Sequence, residues 1–444
     1  YPAVKKNPKL WSVYENILIP GCRMLTDIQD NGVPFDKDRL AKGTVLMQED
    51  IDSAVAELYE FDEVARFEQV KAKEFNPNST VQLRELLFDF VGLKPTGKKT
   101  GTGAHSTDAE VLGQLAEEHA IPKHILDIRK KSKIKNTYLD KIYPQLDRDD
   151  RLRTGFNLHG TTSGRLSSSG KMNMQQIPRD NPIVKGCIKA KPGNKIVAMD
   201  LTTAEVYVAA VLADDKNLQK VFQDGGNFHS SIAKLVFGLP GDVEDITVNY
   251  STERQAAKAV TFGIMYGAGA NKISQQVTQD SGKHFSVNNA QEVIDDYFRQ
   301  FFKLRAWIDK SSKFIRDNGF IYGATGRKRR LPNVNSDNRG IQSHEVRSGL
   351  NFLVQSVASD INLLGAIEMN DYIKSNNMKS KIFALVHDSI LAEVPESEIE
   401  AYSEKLQLFI QKDRGFSIPG TPVGCDFDIG DDYSFGKFEK MYDI

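Results

Sequence analysis

The succession of apolar and polar positions divides the chain into long helix-rich stretches and a few short, fully apolar runs. From about Trp11 to Asn31 the pattern predicts a helix stopped by Asn31-Gly32, with Pro34 opening an extended segment. Residues 40–74 carry the pattern of a charged amphipathic helix, and Ser79 or Thr80 is placed to cap the next one. Lys94–Thr107, KPTGKKTGTGAHST, reads as a loop, after which helices continue through Ile121 and the basic run RKKSKIKNTYLDK. Residues 154–178 lose periodicity and fill with Ser, Thr, Gly and Asn, as functional loops do. Lys195–Met199 reads as a buried strand and Thr202–Leu212 as a helix, which leaves Asp200 at the strand's C-terminal end. KIFALVHDSILAEV reads as strand, tight turn, strand, with His387 and Asp388 in the turn. The block between, 216–345, is mostly helical. Beyond Gly319, IYGATGRKRRLPNV reads as a hairpin carrying Arg327, Lys328, Arg329 and Arg330, and a helix follows from about Gly340.

Composition changes this picture little. With 444 residues, two to four subdomains are expected. Lys and Arg total 58 against 59 Asp and Glu, so any nucleic-acid binding must rest on local patches. Cys22, Cys187 and Cys425 lie far apart, which speaks against a disulfide framework or a zinc site and for a reducing compartment. No apolar run approaches the ~20 residues of a membrane span and the N-terminus lacks a signal-peptide core, so a soluble chain is expected. A start at Tyr1 suggests a fragment of something longer.

Candidate chemistry gathers on one helix. Arg254, Lys258, Phe262 and Tyr266 recur every four residues, so they cover a band of roughly 120° on one face. A guanidinium and an ammonium suit phosphate oxygens, and a ring suits a base or sugar; together they outline a nucleotide. The competing reading is an amphipathic helix with core aromatics and solvated cations. Asp200 and Asp388 both terminate apolar strands. If those strands are neighbours, the carboxylates meet at close quarters and need cations, which two divalent metals would supply; a lone Asp at a strand end can equally be a cap. Arg165 is the one permanent charge amid hydroxyls and amides in GTTSGRLSSS, suited to a sugar or base edge, or simply to a surface loop. Arg347, Asn351 and Gln355 share one helical stripe.

Taken together, these segments resemble the family A DNA polymerases, over nearly the whole chain. AMDLTTAE is similar to the first palm motif, keeping Asp200 and Glu205; RQAAKAVTFGIMYG matches the fingers motif at each defining position; VHDS is similar to the second palm motif; TTSGRLSS with NMQQIP, and NFLVQSVASDI, resemble two further signatures. YGAGANKI is closer to the phage-type branch and GRKRRLP to the bacterial one. The resemblance implies an α+β right-hand fold with a thumb, a palm built on an antiparallel sheet, and helical fingers. The expected division is 1–145 for the thumb with an N-terminal palm-side segment, 146–215 for the first palm segment, 216–340 for the fingers and 341–444 for the second palm segment.

It also implies roles. Asp200, Asp388 and the Leu201 carbonyl would hold two Mg2+ ions; Arg254, Lys258 and His229 would bind the triphosphate of a dNTP; Phe262 would pack on its sugar and base; Tyr266 would close the insertion site; Glu205 would be the sugar gate. Arg165, Arg347, Asn351, Gln355 and His387 would face the minor groove of primer–template DNA. Lys258 would also serve catalysis by stabilising pyrophosphate. Four positions depart from the pattern: Ser389 for an acid, Leu201 for an aromatic, Thr203 for Gln and Asn227 for an acid. The implied activity is template-directed DNA synthesis without proofreading by this chain, whose Asp-x-Glu at Asp242–Glu244 lies in a fingers loop. Rivals are a single-subunit RNA polymerase and a non-catalytic nucleic-acid-binding scaffold. A cytoplasmic monomer of a bacterium or phage-infected cell, working with replication accessory proteins, is the expected setting.

Overall fold

The computed structural model describes residues 2–178 and 181–438, and the chain divides into two compact units. One comprises Val33–Arg153, Gln176–Pro192 and the segment from Gly430; the other comprises the residues up to Gly32, Thr154–Gln175 and Gly193–Ile429.

The first unit is helical. Asp36 caps Lys37–Tyr59 by accepting from the Arg39 backbone N–H. The helix expected over 40–74 is broken, because Phe61 is extended (φ −77°, ψ 128°) and a second helix, Asp62–Lys71, begins after it. Phe61 instead packs its ring between His119 and His124 (centroids 6.0 and 5.4 Å), a tertiary contact that sequence periodicity does not carry. Ser79 caps Thr80–Glu85 through the Gln82 N–H. Around these helices Leu58, Val64, Phe67, Phe75, Leu83, Leu112 and Ile125 form one buried core. In the lysine-rich loop, Lys98 is already paired with Asp108 and Glu110.

The second unit holds the central four-stranded sheet, formed by β1 (Asn194–Thr202), β2 (Lys381–Val386), β3 (Ser389–Pro395) and β4 (Gly424–Gly430) in the order β4-β1-β3-β2. β1 and β3 are antiparallel with seven consecutive pairs, Asn194 opposite Pro395 through Asp200 opposite Ser389. Ile196–Met199 and Ile390–Ala392 are fully buried apolar residues, so both faces of this pair are covered, which explains their unbroken apolar runs. β1 runs two residues past Asp200. A left-handed Thr203 (φ 48°) then turns the chain into α1, Ala204–Leu212. The helical block after α1 contains α2 (Phe228–Phe237), α3 (Ser251–Met265) and α4 (Ala270–Ser281) among its helices. Phe320–Tyr322 pairs with Lys328–Arg330 as the expected hairpin. Asn338 caps the 37-residue α5, Arg339–Ser375. An 18-residue window of α5 reaches a mean hydropathy of 1.3, long and apolar enough for a membrane span by composition, yet 72% of it is buried inside the protein. Its hydrophobicity serves the core.

One close approach in the helical unit tests this packing. A Cβ on Gly186 would lie 2.5 Å from Phe438 Cβ and 2.6 Å from its ring, and Phe438 is fully buried. Gly113, also helical, has open space. Gly186→Ala is expected to destabilise the protein by about 1–3 kcal/mol through overpacking, whereas Gly113→Ala should gain up to about 1 kcal/mol from helix propensity. Urea denaturation of both variants checks the difference; equal midpoints would contradict the packing.

Candidate active site

The β1–β3 register brings Asp200, near the end of β1, beside the turn that carries Asp388. Asp200 faces Ser389, whose hydroxyl donates to Asp200 Oδ1, and the Leu201 N–H donates to the Asp388 carbonyl at 3.2 Å. His387 and Asp388 form the two-residue turn between β2 and β3; His387 is exposed with φ 54°. Gln175 braces this turn, donating to the Leu385 carbonyl at 2.7 Å and accepting from the His387 N–H at 2.8 Å. Sequence reasoning did not single out Gln175; its place in the polar NMQQIP segment was the only signal.

Next to the aspartates lies a buried carboxylate. The Glu205 side chain, 9% exposed on the first turn of α1, accepts from Arg165 Nη2 and, at 2.6 Å, from Tyr266 Oη. Arg165 Nη2 is also 3.9 Å from Asp388 Oδ1, so one guanidinium joins the two carboxylates. Burial raises the Glu205 pKa, opposed chiefly by the Tyr266 hydrogen bond and by Arg165. The Tyr266 hydroxyl is pushed up to about 12, first by burial and then by Glu205, and it also meets Gln355. Tyr266 therefore remains a donor at neutral pH. Arg165 of the polar loop, Glu205 of α1, Tyr266 at the end of α3 and Gln355 of α5 thus form a single network.

The α3 stripe is intact. Lys258, Phe262 and Tyr266 line an open cavity of about 370 Å³ together with Ala268, Lys272, Ile273 and Gln276. Its face toward α2 meets His229, whose ring centroid lies 5.5 Å from that of Phe262. His229 Nδ1 is buried without a hydrogen-bond partner. Arg254 Nε donates to Asn227 Oδ1 at 3.4 Å, and the same oxygen caps α2 through the Ser230 N–H. Asn227 thus holds the cation's place where an acid would hold it more tightly.

The remaining predicted residues sit around this centre. Arg347 covers Gly267, where a Cβ would fall 2.3 Å from Arg347 Cδ; with φ 67° as well, that position requires glycine. Asn351 is half-buried and its Oδ1 has no partner. Asp242 and Glu244 have an ordinary structural explanation, since Asp242 caps Val243–Asn249 in a reciprocal capping box with Asp245. Among the described residues no cluster of three or more His, Cys, Asp or Glu side chains placed to hold a metal ion is present.

Comparison with known proteins follows this geometry. The family model for DNA polymerase family A matches residues 46–434. The DNA polymerase of Escherichia phage T5 is 48% identical over 464 residues, covering 99% of this chain and 54% of that protein. The thermostable DNA polymerase I of Thermus aquaticus is 32% identical over 433 residues, covering 96% of this chain and 49% of that protein. The chain therefore spans about half the length of these relatives. The solved POL domain of Pol1 from M. smegmatis, in complex with DNA primer-template and dNTP, superposes with a TM-score of 0.82 at 26% identity, covering 96% of this chain and 71% of that one.

His229 gives this site a measurable signature. Burial, followed by the charges of Lys258 and Arg254, lowers its pKa from 6.5 to about 4. Between those values the unfolded chain binds the extra proton, so this residue makes stability rise with pH from about 4 to 6.5. The His229 ring signals in NMR are expected to titrate near pH 4, and His229→Gln should flatten the acid limb of the stability profile. A midpoint near 6.5 would show that neither burial nor the two cations act on the ring.

Proposed function

This chain belongs to DNA polymerase family A, and we propose on that footing that it extends a DNA primer from dNTPs under the direction of a template. The primer 3′ hydroxyl attacks the α-phosphate, and pyrophosphate leaves. The observation that carries this reading is the Tyr266–Glu205 hydrogen bond of 2.6 Å, which ties the nucleotide-suited stripe of α3 to the acid beside the aspartates.

Two Mg2+ ions fit the donor chemistry present: Asp200 on β1 and Asp388 in the turn before β3 offer hard carboxylate oxygens, and the Leu201 carbonyl would be a third oxygen donor. Bound there, the ions supply charge neutralisation and a lowered pKa for the attacking hydroxyl. The protein's own groups do the rest. Arg254 and Lys258 bind phosphate oxygens, His229 adds a neutral donor, and Lys258 stabilises the leaving pyrophosphate. Phe262 packs on the sugar and base. Arg165, Arg347, Asn351, Gln355 and His387 contact the minor groove, where each correct pair presents similar acceptors, so they sense geometry rather than sequence. In this reading, 1–145 apart from its N-terminal palm-side segment is the thumb, 146–215 and 341–444 the palm, and 216–340 the fingers. The chain by itself extends without proofreading, as its two Asp-x-Glu runs, Asp108–Glu110 and Asp242–Glu244, each open a helix with the Asp as its cap.

Primer extension tests the metal assignment. Asp200→Asn or Asp388→Asn should lower extension in magnesium by several orders of magnitude while primer–template affinity changes only a few fold. Substantial extension by either variant would remove the aspartates from the chemistry.

The sugar gate is tested separately. The carboxylate held by Tyr266 and Arg165 forms a wall against a 2′ hydroxyl, which would clash and bury an unpaired polar group. Glu205→Ala should raise ribonucleotide use relative to deoxynucleotide by orders of magnitude while slowing normal synthesis. Unchanged discrimination in single-nucleotide kinetics, or a parent that prefers ribonucleotides, would favour the RNA polymerase reading.

A further inference from the structure

The hairpin cations stand outside the mechanism above, yet one of them is among the most firmly held side chains of its unit. Arg327 Nε lies 2.9 Å from both carboxylate oxygens of Asp360, and its Nη2 lies 2.8 Å from Oδ1. Asp360 is on α5 with a fully buried side chain, the Arg327 side chain is 10% exposed, and the Thr325 hydroxyl donates to Asp360 Oδ2 at 2.6 Å. Such a pair is costly to bury and is kept when it fixes a geometry. What it fixes lies on its other side. Gly164 has φ 84°, and a Cβ there would fall 2.9 Å from Arg327 Cδ, 3.0 Å from Nε and 3.2 Å from Cζ. The guanidinium clamped by Asp360 therefore forms the floor under Gly164, immediately before Arg165.

We propose that Arg327 is a positioning residue for Arg165: locked to α5 by Asp360, it sets the path of the loop at Gly164 and so aims the Arg165 guanidinium at Glu205 and Asp388. Arg165 has only light local support, its carbonyl accepting from Thr161 Oγ1 at 2.6 Å and its N–H donating to Ser163 Oγ at 3.4 Å, both within the same loop. From outside the loop, Glu205 and Asp388 meet the end of the Arg165 side chain, and Arg327 meets the backbone at Gly164. The functional consequence rests on the minor-groove reading of Arg165 given above; the placement does not.

Two measurements separate those levels. Arg327→Lys keeps the charge opposite Asp360 but cannot offer the planar fork that lies beneath Gly164. In a crystal structure of that variant, Arg165 is expected to have left Glu205; an Arg165 still bonded to Glu205 overturns the proposal. Kinetically, extension is compared from a primer ending in guanine and from one ending in 3-deazaguanine, which lacks the minor-groove acceptor. The parent should lose about ten- to a hundredfold on the analogue, Arg165→Ala should treat both termini alike, and Arg327→Lys should fall to within about threefold of Arg165→Ala. A folded Arg327→Lys that retains the parent's discrimination also overturns the proposal. If Arg165→Ala itself keeps the discrimination, the minor-groove reading is wrong, and the crystal structure still decides the positioning. Should Arg327→Lys fold poorly, Arg327→Met with Asp360→Leu replaces the ion pair by apolar bulk and serves in both measurements.

Discussion

Everything at the centre of this molecule depends on the register of one strand pair. Because side chains alternate across a strand, a slip of one residue between β1 and β3 would turn Asp200 to the opposite face and move each of Ile196–Met199 out of the packing it fits on its own face. The apolar residues on both strands fix the register, and the register delivers the aspartates. Burial thus positions charge: the free energy of covering Ile, Val, Leu and Met holds two like-charged groups close together. Arg165, reaching both Glu205 and Asp388, offsets some of the repulsion that this creates.

Much of this was legible because it is local. Strand, turn and strand around His387-Asp388, the stripe from Arg254 to Tyr266, and the cap at Ser79 are each written in one short run of consecutive residues. The break at Phe61 was not, since the ring is drawn away by His119 and His124 from a later stretch of the chain. Glu205, Arg165 and Tyr266 could be joined only through family resemblance, as nothing in their spacing brings them together. The roles of Gln175 and Arg327 were hidden for the same reason: Leu385 and Gly164, which they meet, lie far off along the sequence.

The departures from the family pattern acquire physical meaning in place. Ser389 replaces an acid and puts a hydroxyl donor against Asp200, so a third negative charge is traded for a hydrogen bond. Asn227 keeps contact with Arg254 but without charge, leaving the guanidinium less firmly tied than a carboxylate would. Thr203 adopts a left-handed backbone that a β-branched residue rarely takes, between the strand carrying Asp200 and the helix carrying Glu205. Strain of this kind persists where the surrounding structure over-determines it, and it concentrates at working sites.

The two-residue turn at His387-Asp388 also constrains how this chain can diverge. Its first residue is left-handed, its flanks are held by Gln175, and the Asp388 carbonyl accepts from the adjacent strand, so the loop has no slack to absorb an inserted or deleted residue. An extra residue would detach the aspartate from its neighbour while leaving both buried strands satisfied, giving a protein that folds yet loses this juxtaposition. Drift at this hairpin is therefore confined to changes of side chain at constant length, as at Ser389, whereas the exposed tips of other loops are free to lengthen.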